Sequence, residues 1–324
     1  MSEDIIKGPW TEFQSVNGEL DKLVEQIDAG EEKPSKKSAS TILVEIAESL
    51  YEFSVSDTGD TFGVPKSGSK VVQMLRGGKT SLRSELSREY FQRTGRAAPQ
   101  QALADALLVL EGIAQAGDPV PLHLRVARLE GDLLLDLGDA TGRVVRIGAG
   151  GWSVEPNPPV LFRRTALTAA LPDPVGGSDV EELWQHLNVA PEDRPLILAW
   201  LVAALHVDIP HPILSIGGEQ GSGKSTAAKA LTGILDPSPV PLRKPPRDGE
   251  AWVTAASGSW VVGIDNISAI ADWLSDAMCR AVTGDGDVRR KLYTDGDMHV
   301  FAFRRCLILN GIDIGPCAAI WRKG

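Results

Sequence analysis

The chain has 324 residues, 43% of them hydrophobic, with a net charge of −10 and a pI near 5.1; that length exceeds what one hydrophobic core usually serves, so two or three folded units are expected. The acidic balance excludes a protein that coats nucleic acid with its whole surface, because phosphate affinity follows clustered Lys and Arg, and any such contact has to be local. Cys279, Cys306 and Cys317 fit no zinc or disulfide spacing, Leu196 to Leu205 is too short to span a membrane, and Met1 to Lys7 is no signal peptide, so a soluble cytoplasmic protein is expected.

In chain order, Leu20, Leu23, Val24 and Ile27 recur at helical spacing and predict a short amphipathic helix. Asp28 to Ser40 has nothing to bury and reads as a flexible linker. A helix from Thr41 to about Leu50 follows, then a hairpin around Ser56-Asp57-Thr58-Gly59-Asp60 that ends near Pro65. Helical patterns run from Ser81 to Thr94 and from Pro99 to Glu111, with Gly95 and Gly112 as their expected ends. Arg83, Arg88, Arg93 and Arg96 form either a solvated face or a contact to DNA or a partner. The period then changes to two: Leu122, Leu124 and Val126, a turn at Glu130-Gly131-Asp132, then Leu133, Leu135 and Leu137 predict a β-meander that continues through Val145–Ile147 and Trp152–Val154. His123, alone on a strand, reads as a structural or surface histidine rather than a ligand or base.

Beyond the Pro-rich run at 156–159, helix and strand patterns alternate, which predicts an α/β layer with a largely parallel sheet. A helix from Pro195 to Leu205 and a strand from Pro212 to Ser215 precede Gly217-Gly218-Glu219-Gln220-Gly221-Ser222-Gly223-Lys224-Ser225-Thr226. Gly218 and Gly223 satisfy G-x-x-x-x-G-K-[ST] in the strand–loop–helix context that a P-loop requires. A loop around a β-phosphate needs inward N–H groups and side chains too small to block the anion, hence Gly218, Gly221, Ser222 and Gly223. The helix N-terminus adds partial positive charge. Lys224 is expected on the β- and γ-phosphates, Ser225 on Mg²⁺, and Thr226 packed or bonded behind them.

Trp260-Val261-Val262-Gly263-Ile264-Asp265-Asn266 is an apolar run ending in Asp265, either a strand expected to deliver a carboxylate to the second shell of the magnesium or a plain buried strand followed by an Asp turn. Asn266 stands where many P-loop motors carry a Glu. An amide can orient water but cannot take its proton at neutral pH, which predicts slow hydrolysis or a carboxylate from elsewhere, with Glu219 and Asp272 as candidates. A further strand, Cys306 to Leu309, ends in Asn310, which either senses the γ-phosphate or caps a turn before Gly311.

With these motifs, and with Trp273-Leu274-Ser275-Asp276, Leu292-Tyr293-Thr294-Asp295 and Leu307-Ile308-Leu309-Asn310-Gly311, the sequence from about Pro158 resembles AAA+-type helicases of superfamily III and poxvirus-type primase-helicases. Its likeness extends to ATP-binding replication proteins of actinobacterial phages and integrated elements. The resemblance implies ATP and Mg²⁺ as cofactors, a homo-oligomeric ring, translocation on single-stranded or forked DNA and a primase partner. It also implies a channel hairpin, which Arg289, Arg290, Lys291, Leu292 and Tyr293, the turn Thr294–Asp297 and His299–Phe303 fit. Arg289, Arg290 and Lys291 would follow a DNA backbone, although Asp295 and Asp297 stand where channel hairpins carry Lys or His. Arg243, Lys244 and Arg247 form a second basic cluster, for contact or for solvation. Motors of this type use an arginine donated across a subunit boundary; the chain stops fourteen residues after Asn310, with Arg322 the only arginine there, so a truncated end is expected.

The expected organisation is thus a helix and linker over 1–40, an α+β accessory module with a β-meander over 41–157, and an α/β P-loop NTPase core over 158–324, AAA+-like with a mostly parallel sheet, incomplete at its C-terminal end. The alternative to a motor is a nucleotide-binding regulatory module without turnover.

Overall fold

The computed structural model describes residues 37–76, 82–284, 287–290, 298–301 and 303–311. The expected helix near Asn17–Ile27, most of the linker, Lys291 and the hairpin turn, and everything from Ile312 onward lie outside the described residues.

Ser38 accepts a hydrogen bond from Thr41 N and caps α1 (Ala39–Leu50). The hairpin follows, β1 (Tyr51–Val55) against β2 (Thr61–Pro65), with the short β3 (Gln73–Met74) added to β2. Helices α2 (Leu82–Thr94) and α3 (Gln100–Gln115) pack on α1 around Leu43, Ile46, Leu82, Leu86, Leu103 and Leu110. Contrary to expectation, α3 does not end at Gly112. Ala114 lies one turn beyond Leu110 and is fully buried, and extending that apolar face outweighs the roughly 1 kcal/mol that a glycine costs inside a helix.

The short β4 (Leu122–His123) pairs in parallel with β9 (Leu161–Phe162), while β5 (Val126–Leu129), β6 (Asp132–Asp136), β7 (Val144–Gly148) and β8 (Gly151–Glu155) form an antiparallel meander. The expected continuous strand through Leu122, Leu124 and Val126 is broken at Leu124-Arg125, where the Arg125 side chain turns into the protein interior. Nor is Leu133, Leu135, Leu137 a simple buried stripe. Leu134 is fully buried with Ala127, Val144 and Phe162, whereas Val126 and Leu135 on the other face join the core around the P-loop helix. Both faces of the meander are covered, so alternation alone cannot identify the inner one.

In the second half, two 3₁₀ turns lead into α4 (Arg194–Ala203), β10 (Leu214–Gly217), α5 (Lys224–Leu235), β11 (Leu242–Arg243), α6 (Gly249–Ser257), β12 (Val261–Ile267) and α7 (Asp272–Thr283). A hairpin of β13 (Asp287–Arg290) and β14 (Met298–Phe301) precedes β15 (Cys306–Gly311). The sheet is parallel, in the order β10-β15-β12-β11, which makes this half an α/β fold. On one face Leu231 and Leu235 of α5 and Trp200 of α4 pack on Val261 and Ile308. On the other, Trp252 of α6 and Leu274 and Met278 of α7 pack on Val262, Ile264, Leu307 and Leu309.

A buried ion pair joins the two halves. Arg125 is 1% exposed and Asp236, just past α5, is 5% exposed. Arg125 Nε donates to Asp236 Oδ1 at 2.8 Å, and its other nitrogens donate to the Asp136 and Ala169 carbonyls, both at 3.0 Å. Asp236 Oδ2 accepts from Trp260 N at 2.7 Å and Val261 N at 3.0 Å, where β12 begins. Full pairing is what makes buried charge tolerable.

Candidate nucleotide-binding site

The P-loop runs from the C-terminal end of β10 to the N-terminus of α5, the edge of a parallel sheet where crossovers leave a crevice. Gly218, Gly221 and Gly223 have φ of 152°, 83° and 87°, values that only glycine adopts without cost. At Gly221 and Gly223 an added Cβ would meet nothing within 4 Å, whereas at Gly218 it would lie 2.9 Å from Ser222 Oγ. The loop thus turns tightly on itself at Gly218 and stays open at Gly221 and Gly223, a shape suited to an anion. Lys224 Nζ donates to the carbonyls of Gly218 at 2.8 Å and Glu219 at 2.6 Å. Asn188, 34 residues upstream, donates from Nδ2 to the Ser222 carbonyl at 3.3 Å, a brace with no motif to reveal it.

Beyond the loop, Ser225 Oγ donates to Asp265 Oδ1 at 3.0 Å. Asn310 Nδ2 donates to Ser225 Oγ at 3.3 Å, and Asn310 Oδ1 accepts from Asn266 N at 2.9 Å. Asn310 is 1% exposed and sits within β15, paired with Ile216 of the P-loop strand. A turn-capping role is therefore set aside. Because β15 inserts between β10 and β12, Asn310 touches both the P-loop helix and the Asp265 strand.

Other sequence candidates lie apart from this network. Thr226 is exposed rather than packed behind the loop: the buried side of α5 is Ala227, Ala228, Leu231, Thr232 and Leu235, and helical spacing leaves position 226 outside it. Gln220 and Asp272 are exposed, and Glu219 enters the loop's hydrogen bonds through its carbonyl rather than its carboxylate. The second basic cluster divides, because Arg243 turns inward to the Ala255 carbonyl and Ser259 Oγ while Lys244 and Arg247 are exposed. Arg289 and Arg290 lie on β13, in register with His299 and Met298. In the first half, Arg83, Arg88, Arg93 and Arg96 are exposed, and Arg88 pairs with Glu85 and Glu89, as on a solvated face. His123 is half-buried against Phe162, and burial lowers its pKa. No group of three or more His, Cys, Asp or Glu suited to a metal occurs among the described residues, nor is any described helix long and apolar enough to cross a membrane.

Residues 180–319, less than half of the chain but including the P-loop, Asp265 and Asn310, match a family model described as the actinomycete integrative conjugative element replication protein. No curated protein matches the chain. Among solved structures, the apo C-terminal region of NrS-1 is similar at 13% identity and a TM-score of 0.43, covering 86% of this chain and 58% of that one. The SCCmec type IV Cch active helicase is similar at 11% identity and a TM-score of 0.41, covering 83% of this chain and 51% of that one. The chain therefore spans between half and three-fifths of the length of these two structures.

Proposed function

We propose that this chain binds and hydrolyses ATP with Mg²⁺ and acts, in the manner of a replication helicase, on single-stranded or forked DNA during replication of a mobile element. The observation that carries the reading is the network of Ser225, Asp265 and Asn310 at the mouth of a P-loop with three left-handed or near-extended positive-φ glycines. The family match over residues 180–319 supports the replication context.

The loop N–H groups and the N-terminus of α5 would hold the phosphates, with Lys224 leaving its two loop carbonyls to join them. Ser225 and Asp265 would hold Mg²⁺, which supplies charge neutralisation at phosphoryl oxygens. Asn310 keeps the Asp265 strand and the P-loop helix at a fixed separation. The stem residues Arg289, Arg290 and Lys291 would meet the DNA backbone without reading sequence, and a ring of copies would bring several stems into one channel.

ATP binding and turnover by the purified chain, with and without single-stranded DNA, test the proposal, with Lys224→Ala as the inactive control. Reversing the charge of Arg289 and Arg290 should abolish DNA stimulation; if stimulation survives, the stem is not the contact. A second reading, a nucleotide-dependent switch without turnover, is favoured by Asn266 in the position after Asp265. Tight ATP binding with no hydrolysis under either condition selects it.

A further inference from the structure

Between Ile264 and Ile267 the pairing of β12 with β15 slips. Ile264 pairs with Leu309 and Ile267 with Gly311, so Asp265 and Asn266 together stand opposite the single residue Asn310. This is a β-bulge, a device that re-aims side chains by adding one residue to a strand. Its effect is visible in the alternation of faces. A Cβ on Gly263 would approach Thr232 of α5 at 3.6 Å, and Asp265, two residues on, reaches Ser225 of the same helix. Ile267 would follow them in a regular strand. Instead it is buried on the opposite face with Val262, Ile264, Leu274 and Met278. The residue that absorbs the change is Asn266, with φ of 57° and an exposed side chain. Its N–H goes to Asn310 Oδ1.

We infer that Asn266 acts through its backbone: it is the left-handed bulge residue that lets Asp265 stay on the Ser225 face while Ile267 turns into the opposite core, with the strand latched there by the Asn310 amide. Asparagine fits because, apart from glycine, it and aspartate are the residues that visit this conformation most readily. On this account the position after Asp265 is set by backbone geometry, and Asn266 is a positioning residue whose side chain takes no part in the chemistry. The inference rests on the Mg²⁺–ATP reading of Ser225 and Asp265 for its catalytic consequence, but its conformational part can be tested without nucleotide.

The test is a series at position 266: Asn266→Gly, Asn266→Asp, Asn266→Ala, Asn266→Val and Asn266→Glu. Two quantities are measured, the urea midpoint of the nucleotide-free chain, and kcat, KM for ATP and the Mg²⁺ concentration for half-maximal rate. Asn266→Gly and Asn266→Asp should rank highest in both midpoint and kcat. Asn266→Ala and Asn266→Glu should lose about tenfold in kcat, and Asn266→Val more, as the left-handed penalty falls on them. Their Mg²⁺ requirement should rise while KM for ATP changes little. Asn266→Gly failing as badly as Asn266→Ala would overturn the inference, since the side chain would then be needed, and so would Asn266→Glu matching or surpassing the natural residue. If the natural chain shows no turnover, the proposed function falls, and the urea ranking decides the bulge by itself: a ranking led by Gly, Asp and Asn supports it, and a flat series overturns it.

Discussion

In the first half of the molecule most strands pair with a neighbour in the chain: β1 with β2, β2 with β3, and β5 to β8 in sequence. In the sheet that carries the P-loop, β10 pairs with β15, roughly ninety residues away, and β12 lies beyond β15. Local pairing can be read from turn residues and alternation, because each hairpin needs only its own turn chemistry. Non-local pairing has to overcome the entropy of closing long loops and is decided by what the crossover helices bury. The proposed chemistry sits on the non-local sheet. The wall of the candidate site is made where three strands meet that no turn connects.

The sharpest way to break this picture of two differently built halves is at their buried junction. Arg125→Met leaves Asp236 inside without its counter-ion, and urea unfolding should show a loss of about 3–5 kcal/mol. Adding Asp236→Leu should not restore stability, because Trp260 N and Val261 N would lose their acceptor. A small loss would mean that the halves are held together elsewhere.

Acid should weaken the P-loop half. His211, just before β10, is 3% exposed with neither ring nitrogen hydrogen-bonded to a described residue, and stands edge-on to Trp260 at 5.4 Å. Burial, with Arg304 and His206 nearby, lowers its pKa to about 4. Its folded pKa lies below the unfolded value, so its stability contribution is fully present above about pH 6.5 and is lost as pH falls toward 4, by up to about 3 kcal/mol. His211→Phe should flatten that part of the stability–pH profile; an unchanged slope would assign it to other groups.

Asn310→Ala removes its two bonds, one to Ser225 of the P-loop helix and one from Asn266 of the Asp265 strand, and leaves only the direct Ser225–Asp265 bond between them. We expect a loss of about 0.5–1.5 kcal/mol in urea unfolding, since the part-buried Asn266 N–H loses its acceptor while Ser225 keeps its bond to Asp265, together with a higher Mg²⁺ requirement for any turnover. Equal stability with unchanged Mg²⁺ dependence would separate Asn310 from the site. At the other extreme, Arg88→Ala on the exposed face of α2 should change stability by less than about 0.5 kcal/mol, the usual worth of a solvated pair. A loss of DNA stimulation in that variant would restore α2 as a contact surface and move part of the function into the first half.

Much of the local architecture was legible. The Ser56–Asp60 turn, the meander turn at Glu130-Gly131, the P-loop and the strand that ends near Asp265 follow from glycine positions, turn residues and apolar runs. The end of α3 was misread because Gly112 is a strong local signal, while the burial of Ala114 that overrides it is tertiary. The inner face of the meander was not legible, because two different cores cover its two sides.

The sequence alone determined a glycine-rich loop of P-loop pattern between a strand and a helix, with Lys224 and Ser225 at its end and a strand carrying Asp265 to follow, because glycine spacing and apolar runs are local physical requirements. Tertiary structure alone decided that β15 inserts beside the P-loop strand, that Arg125 and Asp236 meet across 111 residues, and that the strand bulges at Asn266 so that Ile267 turns to the core opposite Asp265. Those outcomes depend on which faces are buried and which hydrogen bonds close once distant segments meet, and neither is encoded within any single stretch of chain.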